Sequence, residues 1–357
     1  MANWKKIALS HYKGEWWYGH LRKALTQLIE VHPFFRKEED PIGFDIESDI
    51  TTLLKDWDGE DSFYLGSICA TYRGINRLRI PTALWTDYLP LNDYYLPLIR
   101  QFDQVFCTQK DSKHLLEQAG CSRVHWLPFG FDETLKNDHT LEKIYEVAFV
   151  GNLDLPATTE ERRRVLPEIE KNYRMNDYRT SCFGDGMMHT YNQSKMVVNI
   201  PALGGFNMRT FEAMASGALL LTKNVGNGQA DLFQDGTHFV SYTDTADLLE
   251  KIDYYLEHEA ERLAISENGM REVLSNHTYR HRAFEMLKVM AANLATKGRD
   301  ASPSGEWAAL AFAYRHEKRL TNLIKLCCTD GMPLGTRISI SKKVVTCLAS
   351  LCRYALK

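Results

Sequence analysis

Residues 189–222, HTYNQSKMVVNIPALGGFNMRTFEAMASGALLLT, hold a complete strand, loop, helix and strand in succession. A short helix is expected to end at Ser194 and Lys195, and Met196 to Ile200 has the length and apolar character of a buried strand. Gly204 and Gly205 open a loop, a helix starts at about Asn207, and a second strand starts at Ala218. Glycines ahead of a helix let backbone N–H groups approach a phosphate, and the helix N-terminus adds a dipole that favours an anion. Arg209 falls in the first turn, where its guanidinium can pair bidentately with phosphate oxygens. Glu212, one turn on, can accept two hydroxyl hydrogen bonds from a ribose. The same spacing also fits a plain structural reading, with Gly204 and Gly205 as a turn, Asn207 as a helix cap, and Arg209 paired with Glu212 at i,i+3 on the surface.

Outward from this segment the rhythm of short β-type runs and helical patterns continues in both directions, as expected of an α/β chain with parallel sheets. Toward the C-terminus, His238 to Ser241 reads as a strand, and from Asp247 to about Ala295 the pattern is helical. Toward the N-terminus, Glu146 to Gly151 reads as the first strand of this domain and Ser181 to Phe183 as another. The stretch 132–143, DETLKNDHTLEK, is charged, has no apolar face and is composed like an inter-domain linker. Before it, runs at Lys6 to Ser10, Ser62 to Leu65, Pro81 to Trp85, Gln104 to Thr108 and His125 to Phe131 read as strands. Tyr18 to Ile29 reads as a helix, as does Asp111 to Ala119 with Asp111 at its cap. The expected organisation is a first Rossmann-like domain over 1–131, the linker, a second Rossmann-like domain over 144–278, a helix over 279–300 returning to the first domain, and a helical extension over 301–357.

Composition supports two folded domains and removes several function classes. At 357 residues the chain exceeds the size at which single cores usually split. Lys and Arg number 43 against 46 Asp and Glu, so there is no general excess of positive charge for nucleic acid. Eight cysteines without a CxxC pair argue against a disulfide framework and a zinc site. No stretch approaches the length of a membrane span, and the apolar run near the start is too short for a signal peptide, so a cytoplasmic protein is expected. Residues 301–357 carry nine Lys or Arg against three Asp or Glu, net +6, while the first 300 residues carry net −9. Within this tail Val344, Val345, Leu348, Leu351, Cys352 and Ala355 share a helical face. Such a basic amphipathic helix can make peripheral contact with an anionic membrane or dock on the acidic body.

The segment from Lys195 to Gly217 resembles the donor-binding motif of GT-B glycosyltransferases, and within them the CgeB-like spore-maturation family. The pattern of Lys, an Asn after a strand, then Asn-Met-Arg-x-Phe-Glu-Ala-x-Ala-x-Gly is matched by Lys195, Asn199 and residues 207–217, Met208 and Thr210 included. EVAFVGN, residues 146–152, resembles the first strand and phosphate loop of the donor domain, with Gly151 and Asn152 in the loop and a basic residue, Arg162 or Arg164, on the following helix. FGDG, with Gly184, resembles the loop beside the nucleotide base. LPFGFD, residues 127–132, resembles the strand leading to the inter-domain linker, and residues 229–253 the end of the donor domain. The resemblance implies a GT-B architecture, two Rossmann-like domains facing each other across a cleft, and a nucleotide-sugar co-substrate, a UDP-sugar, with no metal or other cofactor. It implies that Lys195, Arg209 and an Arg among 162–164 neutralise the diphosphate, that Glu212 holds the ribose, and that Asn199 and Asn207 orient the pocket. Related retaining families carry two Glu separated by seven residues; here Gly204 stands at the first position.

Catalytic groups are expected where the two domains face each other. His11 and His20, beside Gly14 and Gly19, and Asp87 at the end of the Pro81 to Trp85 run are the candidates for taking the acceptor hydroxyl proton if the reaction inverts the anomeric centre. If it retains, as the resemblance leans, the leaving diphosphate can take the proton and the basic residues carry the rate by stabilising its charge. Trp16, Trp17, Tyr18, Tyr88, Tyr94 and Tyr95 lie near these loops and serve either sugar stacking or core packing. Asp56-Trp57-Asp58 has a DxD form but lies far from the motif and reads as surface. The expected activity is sugar transfer from a UDP-sugar to an acceptor not named by the sequence. Rival readings are a nucleotide-sugar 2-epimerase of the same fold and a non-catalytic nucleotide-binding scaffold, with glycosylation of DNA bases a weaker alternative because nucleic acid is not an expected partner.

Overall fold

The computed structural model describes residues 4–11, 16–35, 43–57, 61–67, 70–87, 96–153, 156–180, 182–201, 204–293, 337, 338 and 341. The chain divides into two compact units, residues 1–127 with 284–357 and residues 128–283.

In the first unit, β1 (Lys6–His11), β2 (Glu30–Phe35), β3 (Gly43–Asp49), β4 (Ser62–Ser67), β5 (Ala70–Arg73), β6 (Thr82–Thr86), β7 (Gln104–Cys107) and β8 (Val124–Trp126) form one sheet with the main path β2-β1-β4-β6-β7-β8. All pairs along this path are parallel, while β5 turns back antiparallel onto β4 and carries β3. β4, β6 and β7 are buried along their whole lengths, as a parallel sheet covered on both faces requires. The helices are α1 (Trp16–Thr26), α2 (Ile50–Leu53), α3 (Leu96–Ile99) and α4 (Lys110–Gln118). β2, β3 and β5 have no counterpart in the sequence reading. β2 contains Pro33, which argues against a strand but is tolerated here because β2 is the edge of the path. α4 starts earlier than its pattern predicts, with Gln109 rather than Asp111 at the N-cap position.

The second unit contains β9 (Tyr145–Ala148), β10 (Ser194–Asn199), β11 (Leu219–Thr222) and β12 (Val240–Ser241), all parallel, in the order β12-β11-β10-β9. Met175 forms a parallel bridge to Val147 on the side of β9 away from β10. The chain therefore leaves β9 on one side and returns on the other, which makes the carboxyl ends of β9 and β10 the topological switch point of this sheet. The strand expected at Ser181 to Phe183 is not formed at the described residues 182 and 183; the sheet contact comes earlier, at Met175. The helices are α5 (Pro156–Asn172), α6 (Asp185–Asn192), α7 (Met208–Ala215), α8 (Gln229–Leu232), α9 (Thr245–Glu257), α10 (Glu259–Asn276) and α11 (Tyr279–Ala292). The single helical pattern expected from Asp247 onward is thus broken at His258 and at 277–278. Val147, Phe149, Val165, Ile169, Val198, Leu219, Leu221, Leu248 and Ile252 belong to one core cluster, each burial contributing about 1.5–3 kcal/mol.

The charged stretch 132–143 is tied to the second unit. The Asn137 amide donates to Ala215 O at 2.8 Å and accepts from the Asn192 amide at 2.8 Å, while Asp138 N donates to Asn192 Oδ1 at 3.1 Å. Asn137 thus bridges the ends of α6 and α7, a role composition does not distinguish from solvation, while Glu133, Lys136, Asp138 and Glu142 stay exposed. Segments at the two ends of the unit are also joined: Phe131 N donates to His277 O at 2.9 Å and Tyr279 N to Phe131 O at 2.8 Å. The buried Arg282 Nε donates to Phe129 O at 2.9 Å and Pro128 O at 3.1 Å. The division between units falls within α11, and Trp4 Nε1 donates to Leu287 O at 3.3 Å inside the first unit. The basic face expected in 301–357 lies outside the described residues. No helix among those described is long and apolar enough to cross a membrane.

Candidate functional site

Residues converge at the switch point of the second unit from four elements. Phe149, Val150, Gly151 and Asn152 follow β9, Arg162 comes from α5, Asn199 and Ile200 close β10, and Asn207, Arg209, Thr210 and Glu212 belong to the start of α7. Arg162 and Arg209 cross-brace the loops. Arg209 donates through Nε and Nη2 to Val150 O, at 3.0 and 2.6 Å, and through Nη1 to Asn199 Oδ1 at 2.8 Å. Arg162 donates through Nη2 to Ile200 O at 2.8 Å and through Nη1 to Asn152 O at 2.6 Å, so one side chain spans the loops after β9 and β10. Burial, followed by the positive charge of Arg209, lowers the Arg162 pKa to about 10. Two guanidinium groups are therefore held close together at the edge of the sheet where open α/β folds bind ligands.

Asn199 organises the rest. Its Nδ2 donates to Asn207 Oδ1 at 3.1 Å and Thr222 Oγ1 at 3.1 Å, and its Oδ1 accepts from Asn207 Nδ2 at 3.1 Å besides Arg209. Thr210 Oγ1 sits 3.4 Å from the same Nδ2. Asn207 occupies the N-cap position of α7 but makes no side-chain cap bond, because its amide is committed to Asn199. The helix N-terminus is consequently not closed by its own cap. Gly151 is required by contact: a Cβ there would collide with Arg209 Nη2 and lie 2.9 Å from Phe149 Cζ. Met208 is buried and anchors the first turn of α7.

Glu212 is buried at 4% exposure, and its carboxyl forms no hydrogen bond among the described residues. Burial raises its pKa to about 7, opposed by Arg209 and reinforced by the Asp132 carboxylate. The surface ion pair that spacing allowed between Arg209 and Glu212 is absent from the ion pairs of the described residues; Glu212 is buried, and the half-buried Arg209 donates to Val150 O and Asn199 Oδ1 instead. Tyr279, whose phenol is pushed well above its ordinary range by burial, then by Glu212 and Asp132, completes this acidic corner. A buried carboxyl with free acceptor capacity can receive ligand hydroxyl groups.

Other expected donor residues lie elsewhere. Lys195 is the second residue of β10, four residues before Asn199 and roughly 13 Å back along the strand, at the opposite edge of the sheet. The helix expected to end there stops at Asn192 instead. Arg164 is exposed on α5, two positions and roughly 200° around the helix from the buried Arg162. Lys223 directly follows β11, at the carboxyl edge of the sheet, and its ammonium pairs with Glu161. Gly184 precedes α6 with φ 60°, a conformation suited to glycine, and Phe183 beside it is 55% exposed. Lys223, Phe149, Asp132 and Tyr279 were not singled out from sequence; only the position of Lys223 just past an apolar strand offered a signal.

In the first unit Asp87 follows β6. Its Oδ1 accepts from Thr108 Oγ1 and from Gln109 Nε2, the latter at 3.0 Å, and burial raises its pKa although both bonds oppose the rise. His11 ends β1, two strands across the sheet with β4 between, and its side chain lies outside the described residues. His20 lies on α1. Tyr18 is fully buried, donates to Gly66 O at 2.5 Å and packs against Trp85, and Trp17 meets Trp85 edge-on with centroids 5.0 Å apart. Tyr18 is core, and Trp17 is half-buried against it. Trp16 side-chain placement, Tyr88, Tyr94 and Tyr95 fall outside the described residues. Trp57 of the DxD-like triplet stacks edge-on with His32, with Lys6 Nζ 4.6 Å from its ring; Asp58 is outside the described residues. No group of three or more His, Cys, Asp or Glu among the described residues is arranged to hold a metal ion.

Residues 139–288 match the family model described as glycosyl transferase-like. No curated protein matches the chain. Sucrose-phosphate synthase from Thermosynechococcus elongatus aligns with 14% identity over 82% of this chain and 99% of that one, TM-score 0.61. HepE from Anabaena, solved in complex with UDP, aligns with 12% identity over 81% of this chain and 100% of its own, TM-score 0.56. A glycosyltransferase from Rickettsia africae aligns with 11% identity over 83% of this chain and 100% of that one, TM-score 0.55. The chain thus has the α/β GT-B fold, with two Rossmann-like units.

Proposed function

We propose that the protein is a glycosyltransferase that binds a UDP-sugar on its second unit and transfers the sugar to a hydroxyl group of an acceptor. The observation that carries this reading is the pair Arg162 and Arg209, brought from two helices to the switch point beside the buried Glu212. In the reaction the acceptor oxygen bonds to the anomeric carbon, the bond from that carbon to the diphosphate oxygen breaks, and the electron pair leaves on the diphosphate. Arg209 and Arg162 offset the charge that develops there without a metal ion. Glu212 accepts the ribose hydroxyls. Complexes of HepE with UDP and with UDP-glucose support a uridine donor, and the Asn-Met-Arg-x-Phe-Glu run at 207–212 supports a place near the CgeB-like family.

The acceptor hydroxyl gives up its proton to a base, for which we assign Asp87, a carboxyl that follows β6 of the first unit, with His11 as the alternative base. The protein acts in the cytoplasm, and the basic 301–357 segment supplies any peripheral membrane contact. The test is thermal stabilisation by a panel of nucleotides and nucleotide-sugars, because a ligand of the folded state raises Tm by mass action. UDP or a UDP-sugar raises Tm of the wild type and not of Arg209→Ala. A panel in which no uridine diphosphate compound raises Tm overturns the reading.

A further inference from the structure

Phe149 is fully buried in the core of the second unit, which by itself describes a packing residue. Its surroundings are not those of an ordinary core phenylalanine. The Arg209 guanidinium carbon lies 4.5 Å from the ring centroid and the Arg162 guanidinium carbon 5.3 Å from the same centroid, both inside the range in which a ring face attracts a cation. The two cations repel each other; Arg209 donates to Val150 O and Asn199 Oδ1, and Arg162 donates to Asn152 O and Ile200 O. The ring face supplies negative potential to both cations at once.

The ring is also fixed in place. The Asn176 side chain clamps the Phe149 backbone from both sides, accepting from Phe149 N at 2.9 Å and donating to Phe149 O at 3.0 Å. On its outer edge Gly151 leaves the space in which Phe149 Cζ and Arg209 Nη2 approach the backbone. Ring, two guanidiniums and loop form one packed layer at the switch point.

We infer that Phe149 is a positioning residue for the donor: its ring is a shared platform that holds Arg162 and Arg209 together, charged and directed at the diphosphate. The inference rests on the nucleotide-sugar reading of the site. It predicts that the ring acts on the phosphates of the donor and not on its nucleoside.

The experiment measures the affinities of the full-length chain for UDP and for uridine by calorimetry and competition. Phe149→Leu, which keeps much of the volume but removes the ring face, lowers UDP affinity about tenfold and leaves uridine affinity unchanged. Should Phe149→Leu fail to fold, 3,4,5-trifluorophenylalanine at position 149 keeps the ring shape while weakening its face, and lowers UDP affinity in the same selective way. Ile169→Val, in the same core cluster but away from both guanidiniums, lowers Tm and leaves both affinities as in the wild type. Equal losses for UDP and uridine, or unchanged UDP affinity in the leucine and fluorinated variants, overturn the inference while the donor reading stands. A wild-type chain that binds no UDP overturns both.

Discussion

Arg209 Nη1 donates to Asn199 Oδ1 at 2.8 Å, so the side chain in the first turn of α7 is aimed by the last residue of β10. Asn199 is buried at 1% exposure and serves Arg209, Asn207 and Thr222 at once. Asn199→Ala leaves several of these polar groups without partners. The expected cost is about 2–4 kcal/mol of stability, read as a lower urea midpoint, with weaker UDP stabilisation in thermal melts. A variant with wild-type midpoint would show that water replaces the amide.

Gly151→Ala places a methyl group against Arg209 Nη2 and 2.9 Å from Phe149 Cζ. Overpacking of this kind costs about 1–3 kcal/mol. Because the guanidinium must shift, UDP affinity falls by more than the lost stability alone would suggest. Calorimetric titration well below the Tm of the variant checks this, and unchanged affinity would mean that the guanidinium can relax without leaving its working position.

The buried Glu212 makes the unliganded protein sensitive to pH. Its pKa is about 7 when folded, chiefly through burial, against about 4.3 for an unperturbed glutamate. Between these values the folded chain holds a proton that the unfolded chain has released, so stability falls as pH rises from about 4.5 to about 7. The full effect of this group is about 4 kcal/mol. Glu212→Gln removes that slope and is the more stable chain at pH 8, while losing UDP binding. Parallel slopes for wild type and variant in denaturant melts across this range would place the proton on another group.

Lys195 and Arg209 separate the two edges of the sheet. Lys195→Ala leaves UDP affinity within about twofold, since the strand carries that ammonium roughly 13 Å away from Asn199. Arg209→Ala lowers UDP affinity at least tenfold, the scale of a lost charge-assisted contact. A large effect of Lys195→Ala on binding with unchanged Tm would contradict this placement.

Gly130 packs against the opposite end of the second unit: a Cβ there would lie 2.9 Å from the Thr278 carbonyl carbon and 3.0 Å from Tyr279 N. Both contacts are to backbone, which cannot rotate away. Gly130→Ala is therefore expected to cost about 2–3 kcal/mol and to expose the amides of Phe131 and Tyr279, which now pair with His277 O and Phe131 O. Hydrogen exchange at these two amides reads the effect directly.

The amino-acid sequence by itself determined the alternation of strands and helices, because periodicity and strand-length apolar runs are local properties: β1, β4, β6, β7, β10 and β11 lie where their patterns predict. It also placed Asn199, Asn207, Arg209 and Glu212 within one βαβ unit, whose strand end and helix start meet at the switch point. It did not contain the direction of each side chain. Lys195 and Asn199 are equally prominent in the motif, yet they stand near opposite ends of one strand and so at opposite edges of the sheet. Arg162 and Arg164 are interchangeable in composition, and only the rotation of α5 buries one and exposes the other. Phe149 reads as one more apolar strand residue until two arginines from distant helices meet its ring, and Asn137 reads as one more polar residue of a charged stretch until its amide meets the ends of α6 and α7. Contacts between residues far apart in the chain are made by packing, which decides them only once all the elements are assembled.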